Sequence, residues 1–173
     1  GPAQNRVRFV VETLTALAKA IGPGRVGLRI CPGVTFNGMA DADPAETYAT
    51  LLRAIDGLGL AYCHLIHIPN AGFDALELVR ANWSGAVIEN GWLTLDKAQA
   101  VIAGGKAEAV SFGLAYIANP DLVERFRRGT PLAKGNRETF YTGHGDDAVG
   151  YTDYPRAAPV EDAVERPEAE DCA

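Results

Sequence analysis

The sequence holds no block of basic residues, and no apolar run approaches the roughly 18 residues that cross a bilayer. Its 173 residues carry 16 Lys and Arg against 22 Asp and Glu, for a formal net charge of −6. Nucleic-acid affinity rests mainly on cations that meet phosphates, so this balance excludes a nucleic-acid surface as the main function. Cysteine is scarce: Cys31, Cys63 and Cys172 form no CxxC pair. A disulfide framework and a zinc site are therefore not expected, and a reduced, cytoplasmic setting is. No secretory leader is read at the N-terminus.

Aromatics are missing from the last stretch. "VEDAVERPEAEDC" sets Glu161, Asp162, Glu165, Glu168, Glu170 and Asp171 against a single Arg166. Such a segment can bury little, and residues 160–173 are expected to form a solvated tail. Gly1 and Pro2 read as a scar of tag removal, so residues 1–4 are given no structural weight.

What is present is alternation. Residues 5–21 place Phe9, Val10, Leu14, Leu17, Ala18 and Ile21 at helical spacing. "RVGLRI" (25–30) is a short strand, and residues 44–57 form a helix that starts at Pro44 and ends at Gly57 and Gly59. "LAYCHLIHI" (60–68), "GAVIEN" (85–90) and "AEAVSFG" (107–113) read as further strands. Helices are expected over 73–81, over 94–103 with Thr94 as N-cap, and over 121–128. Nearly continuous apolar strands that alternate with helices indicate a parallel sheet covered by helices. Residues 5–134 make that unit, and 135–159 an ordered loop rich in Gly and Tyr.

The segments "NRVRFVVE", "RVGLRICPG", "AYCHLIH", "SFGLAYIANPDLVERFRRGTPL" and "GYTDYP" resemble, in order and spacing, the Old Yellow Enzyme family of flavin-dependent ene-reductases. The resemblance implies the α/β fold of half a TIM-type (β/α)8 barrel: four parallel strands, numbers five to eight of the family barrel, with outer helices. Half a barrel leaves the inner sheet face without its usual packing and two strand edges free. A partner is therefore expected, either a chain carrying the N-terminal half-barrel or a second copy of this one. The long loop 135–159 folding back over that face is a third solution.

The resemblance also implies chemistry: hydride from NAD(P)H, a transient reductant, passes through FMN to an activated alkene, the small-molecule substrate. Arg29 matches the arginine at the flavin's N1/O2 edge, where a fixed cation stabilises the reduced ring. An arginine paired to a carboxylate inside the barrel is the alternative. Asn90, Gly91, Phe112 and Gly113 match the phosphate turns. Leu114 follows Gly113 where a phosphate favours a cation and where the family usually has arginine, and this argues for weakened or lost FMN binding. Glu89 is a second departure, a carboxylate next to a turn meant for a dianion.

The family's substrate-polarising pair has no counterpart here. Three residues are candidates for part of that role: His67 near the active-site end of its strand, and Tyr141 and His144 in the segment that packs beside the flavin. His64 reads as a locally hydrogen-bonded histidine. A flavin-free protein on the same scaffold, redox-neutral or a stabilising partner, is the competing reading.

Overall fold

The computed structural model describes residues 1–68, 71–141 and 148–158. The chain divides into two compact units, Gly1–Phe112 and Gly113–Ala173. The acidic tail, Cys172 and His144 lie outside the described residues.

The first unit runs α1 (Ala3–Ile21), β1 (Gly27–Ile30), α2 (Pro44–Ile55), β2 (Tyr62–Ile66), α3 (Ala75–Asn82), β3 (Val87–Asn90), α4 (Leu95–Ala103) and β4 (Ala109–Ser111). The four strands form one parallel sheet in the order β1-β2-β3-β4. Local chemistry fixes where the helices start. Asp43 accepts the Glu46 N–H and caps α2, with Pro44 in the first turn. Asp74 accepts the Leu76 and Glu77 N–H groups at the start of α3. Thr94 accepts the Lys97 N–H at 3.3 Å at the start of α4.

Side chains alternate across each strand, so each strand faces two environments. Ile30, Cys63, Leu65 and Val87 point at the helices and join Val7, Leu14, Leu52, Ile55, Val79 and Trp83 in one buried cluster. Burial pushes the Cys63 thiol up to about 12, so this cysteine is an inert core residue. The other face carries Gly27 and Arg29, Tyr62, His64 and Ile66, Ile88 and Asn90, and Ala109 and Ser111, none of them buried. That lining is mixed, with Arg29, His64, Asn90 and Ser111 set among Tyr62, Ile66 and Ile88.

Three further expectations need correction. Helix α1 starts at Ala3, which is buried, and the Pro2 carbonyl accepts the Asn5 and Arg6 N–H groups, so the first residues do carry structure. The buried side of α1 is Val7 and Leu14 with Val10, Val11 and Ala18 packed behind them, whereas Phe9 is 78% exposed and Leu17 and Ile21 are also exposed. Helical spacing marks two apolar sides here, and only packing against α2 selects one. Finally, the chain after Gly113 turns at once into α5 (Leu114–Ala118), a helix whose five residues are too few to show a period.

The second unit continues with α6 (Leu122–Arg128) and a 3-10 turn at Arg137–Thr139. The segment "ANPDLVER" is its tie point. Asn119, fully buried, donates to the Ala115 and Ala133 carbonyls and accepts the Ala133 N–H at 2.8 Å. Asp121 takes the Ala157 N–H and pairs with Arg125, whose guanidinium donates to the Pro131 and Pro155 carbonyls. Hydrogen bonding and charge from Arg125 hold the Asp121 carboxyl below its usual value. Asn119→Ala strips the Ala133 N–H and two carbonyls of their partners and should cost about 1–3 kcal/mol. Urea denaturation followed by circular dichroism measures this, and a loss under about 0.5 kcal/mol would refute the tie-point role.

Candidate functional site

The C-terminal ends of β1 to β4 carry the candidate residues of the first unit. Arg29 stands on the inner sheet face beside His64 in register. Its guanidinium makes no hydrogen bond or ion pair with any described residue, so the carboxylate-paired alternative finds no support here. His64 Nε2 lies 2.8 Å from Ser111 Oγ, and the Asn90 carboxamide donates to the Ser111 carbonyl at 2.8 Å and to its hydroxyl at 3.0 Å. His64, Asn90 and Ser111 thus form one polar run across three strands.

Burial, and then the charge of Arg29, lower the His64 pKa from its ordinary 6.5. The folded state therefore favours the neutral ring. The stability this gives is complete above about pH 6.5 and is lost as pH falls from there through the lower folded value. Arg29→Gln should move the His64 titration upward, read by NMR from the ring protons. An unchanged titration midpoint would show that Arg29 does not act on this ring.

His67 takes a different place from the one expected. It lies just past β2, and its Nδ1 is 2.8 Å from Glu89 Oε1. Glu89 alternates with Ile88 and Asn90 and so shares the helix-facing side with Val87; it is only 3% exposed. The imidazole is therefore drawn to the face opposite Arg29, and His67 does not join the inner-face residues. Glu89 points away from the inner face, and it borders the same cavity as Gly91 of the adjoining turn.

Gly91 has φ 112°, and a Cβ built there would come 2.5 Å from the His67 carbonyl oxygen. The His67 N–H donates to the Asn90 carbonyl at 2.8 Å, which holds the two loops together. Glycine is required at this close approach. Phe112 ends the first unit.

Gly113 and Leu114 open the second unit. Nothing lies within 4 Å of a Cβ built at Gly113, and Leu114 is 60% exposed at the start of α5. Tyr141 is 94% exposed, its ring edge-on to Phe140 at 6.4 Å between centroids.

The residues present fit a flavin in one part and depart from it in another. A free, exposed guanidinium on a polar strip of sheet suits an anionic ring edge. The tight Gly91 turn and the open Gly113 suit close approach by a ligand. Leu114 supplies no charge. The pairing of His67 with Glu89 was open to sequence reading in one respect: the two-residue period of β3 already puts Glu89 with Val87. The bridge from His64 to Ser111 needed the strand register.

Comparison with known proteins places this geometry. Residues 1–133 match the model of the NADH:flavin oxidoreductase / NADH oxidase family. The chain is 37% identical over 162 residues to 12-oxophytodienoate reductase 2 of Arabidopsis thaliana, covering 90% of this chain and 43% of that one. A putative 12-oxophytodienoate reductase 10 of Oryza sativa subsp. japonica is 38% identical, again over 90% of this chain and over 52% of its own. Among solved structures, the old yellow enzyme from Trypanosoma cruzi superposes with a TM-score of 0.84 at 36% identity, covering 91% of this chain and 42% of that one. Morphinone reductase in complex with tetrahydroNAD, an N189A mutant, gives 0.81 at 38% identity, covering 96% and 44%. The chain thus spans about half the length of the relatives it matches, or less, and its four parallel strands with outer helices are part of a TIM-type barrel. It belongs to the NADH:flavin oxidoreductase family, the Old Yellow Enzyme group of flavin oxidoreductases.

Proposed function

We propose that this chain supplies the C-terminal half-barrel of an Old Yellow Enzyme-like oxidoreductase that reduces activated alkenes with NAD(P)H. The observation that carries the reading is the inner sheet face, none of whose strand residues is buried, with Arg29 on its edge strand β1 lacking a partner among the described residues. Two surfaces ask for cover: this face, and the second apolar side of α1 with Phe9, Leu17 and Ile21. Each large apolar side chain gains about 1.5–3 kcal/mol on full burial. A complementary half-barrel, from an N-terminal chain or a second copy, covers both. FMN, when bound, relays hydride from the nicotinamide to the alkene. Arg29 would hold negative charge at the ring edge, and the backbone at Asn90, Gly91, Phe112 and Gly113 would hold the phosphate. The complementary half brings the groups that polarise the alkene.

The alternative, a flavin-free protein on the same scaffold, rests on Leu114, on the missing half, and on Glu89, whose carboxylate belongs to a residue bordering the same cavity as Gly91. Co-expression with the four-stranded N-terminal half of a relative tests the proposal. The expected product is a yellow complex of the two halves that oxidises NADPH when given 2-cyclohexenone. A colourless complex would favour the flavin-free reading, and no complex would remove the partner. Sedimentation of the chain alone tests the second-copy version: a dimer supports it and a monodisperse monomer rejects it.

A further inference from the structure

The sequence holds two Asn-Gly pairs, Asn37-Gly38 and Asn90-Gly91. Such a pair can react with itself. The glycine backbone nitrogen attacks the side-chain amide carbon of the asparagine before it, and glycine has no side chain to block that approach. The fold treats the two pairs differently.

Asn90 ends β3 and is held from both sides. It pairs in register with Ile66 of β2 and Ser111 of β4. Its carboxamide donates to the Ser111 carbonyl at 2.8 Å and to the Ser111 hydroxyl at 3.0 Å. Its own carbonyl accepts the His67 N–H at 2.8 Å. For the Asn90 side chain to turn back on the Gly91 nitrogen, both bonds to Ser111 must break.

Asn37 stands at the tip of the loop between β1 and α2. The Met39 N–H donates to the Phe36 carbonyl at 3.1 Å, which closes a turn. Asn37 and Gly38 at its centre have φ of 52° and 79°, both positive as in a type I′ turn. Residues 35–43 are all exposed. Neither the Asn37 carboxamide nor the Gly38 N–H makes a hydrogen bond with any described residue. The turn is therefore closed by one backbone bond, and both reacting groups are free. A segment held this lightly opens locally without disturbing the sheet.

We infer that Asn37 is a site of spontaneous deamidation in the folded protein, whereas Asn90 is protected. The Gly38 nitrogen attacks Asn37 Cγ, the new N–Cγ bond closes a succinimide ring, and the Cγ–Nδ2 bond breaks. The amide leaves as ammonia and takes the Gly38 proton with it. Water then opens the ring, at Cγ to give aspartate or at the Asn37 backbone carbonyl carbon to give isoaspartate. One water enters, one ammonia leaves, and nothing is oxidised or reduced. The product carries an added negative charge on the loop that leaves β1, the strand of Arg29. This site is independent of the flavin reading and stands or falls without it.

The 173-residue chain is incubated at mildly alkaline pH, in native buffer and in concentrated urea, and the tryptic peptides carrying Asn37 and Asn90 are followed by mass spectrometry. In native buffer Asn37 should lose its amide at least about tenfold faster than Asn90, the rate ratio that the bonds to Ser111 impose. In urea the two should react at similar rates, since each precedes a glycine and neither is held. Asn37→Gln, whose longer side chain closes a ring less readily, should remove the slowly forming acidic species seen on ion exchange of the native chain. Equal rates at Asn37 and Asn90 in native buffer would overturn the inference. So would a gap that persists unchanged in urea, or an acidic species undiminished in Asn37→Gln.

Discussion

Gly91→Ala should destabilise the first unit by about 3 kcal/mol or more, among the largest effects of any single methyl group in this chain. Two causes add. The φ of 112° lies where L-residues rarely go, and the added Cβ would sit 2.5 Å from the His67 carbonyl oxygen, a backbone atom that cannot swing aside. Relief requires the loop after β2 to separate from the end of β3. That movement breaks the His67 N–H bond to the Asn90 carbonyl and pulls the imidazole from Glu89. For a chain of this size, each kcal/mol shifts the unfolding temperature by about 2–4 °C, so a drop of roughly 10 °C is expected by calorimetry. The same substitution at Gly113, where φ is negative and space is open, should shift it far less. If the two variants melt alike, Gly91 is not under the constraint its geometry indicates.

Leu114→Arg should tighten FMN binding by roughly ten- to a hundredfold in the assembled two-half protein, the worth of one charge-assisted contact to a phosphate. Leu114 is largely exposed on the first turn of α5. A longer side chain meets no steric barrier there, and the cost to stability should be small. The gain should fade with added salt, because a partly exposed cation and a dianion are screened. Leu114→Gln, similar in length but neutral, should give little of it. Quenching of flavin fluorescence on binding measures all three proteins. An arginine variant that binds FMN no better than the parent would show that the phosphate does not lie at this turn, and would leave the flavin-free reading the stronger one.

Much of the fold was legible because its signals are local. The cap Thr94, Pro44 and the glycines that bound α2, and the apolar strands all act within a few residues of where they are read. The family was legible for a related reason: "IANPDLVER" is a dense run of constrained residues. Asn119, Asp121 and Arg125 each tie a later segment of chain, so few substitutions would leave that part standing. The site was less legible. His67 was placed by its distance along the strand, and nothing nearby in sequence says that its ring turns to a carboxylate 22 positions on. On α1, spacing alone ranked Phe9 with Leu14, though one is exposed and the other buried.

The amino-acid order by itself determined the parallel α/β alternation, the family and the departure at Leu114, since each is carried by neighbouring residues. Only the tertiary structure decided that His67 turns to the helix side to meet Glu89, that His64, Asn90 and Ser111 form one polar run, and that the inner lining is mixed. Those outcomes depend on register between strands and on which helix covers which face. Both are set by packing between segments far apart in the chain, where short-range preferences have no say.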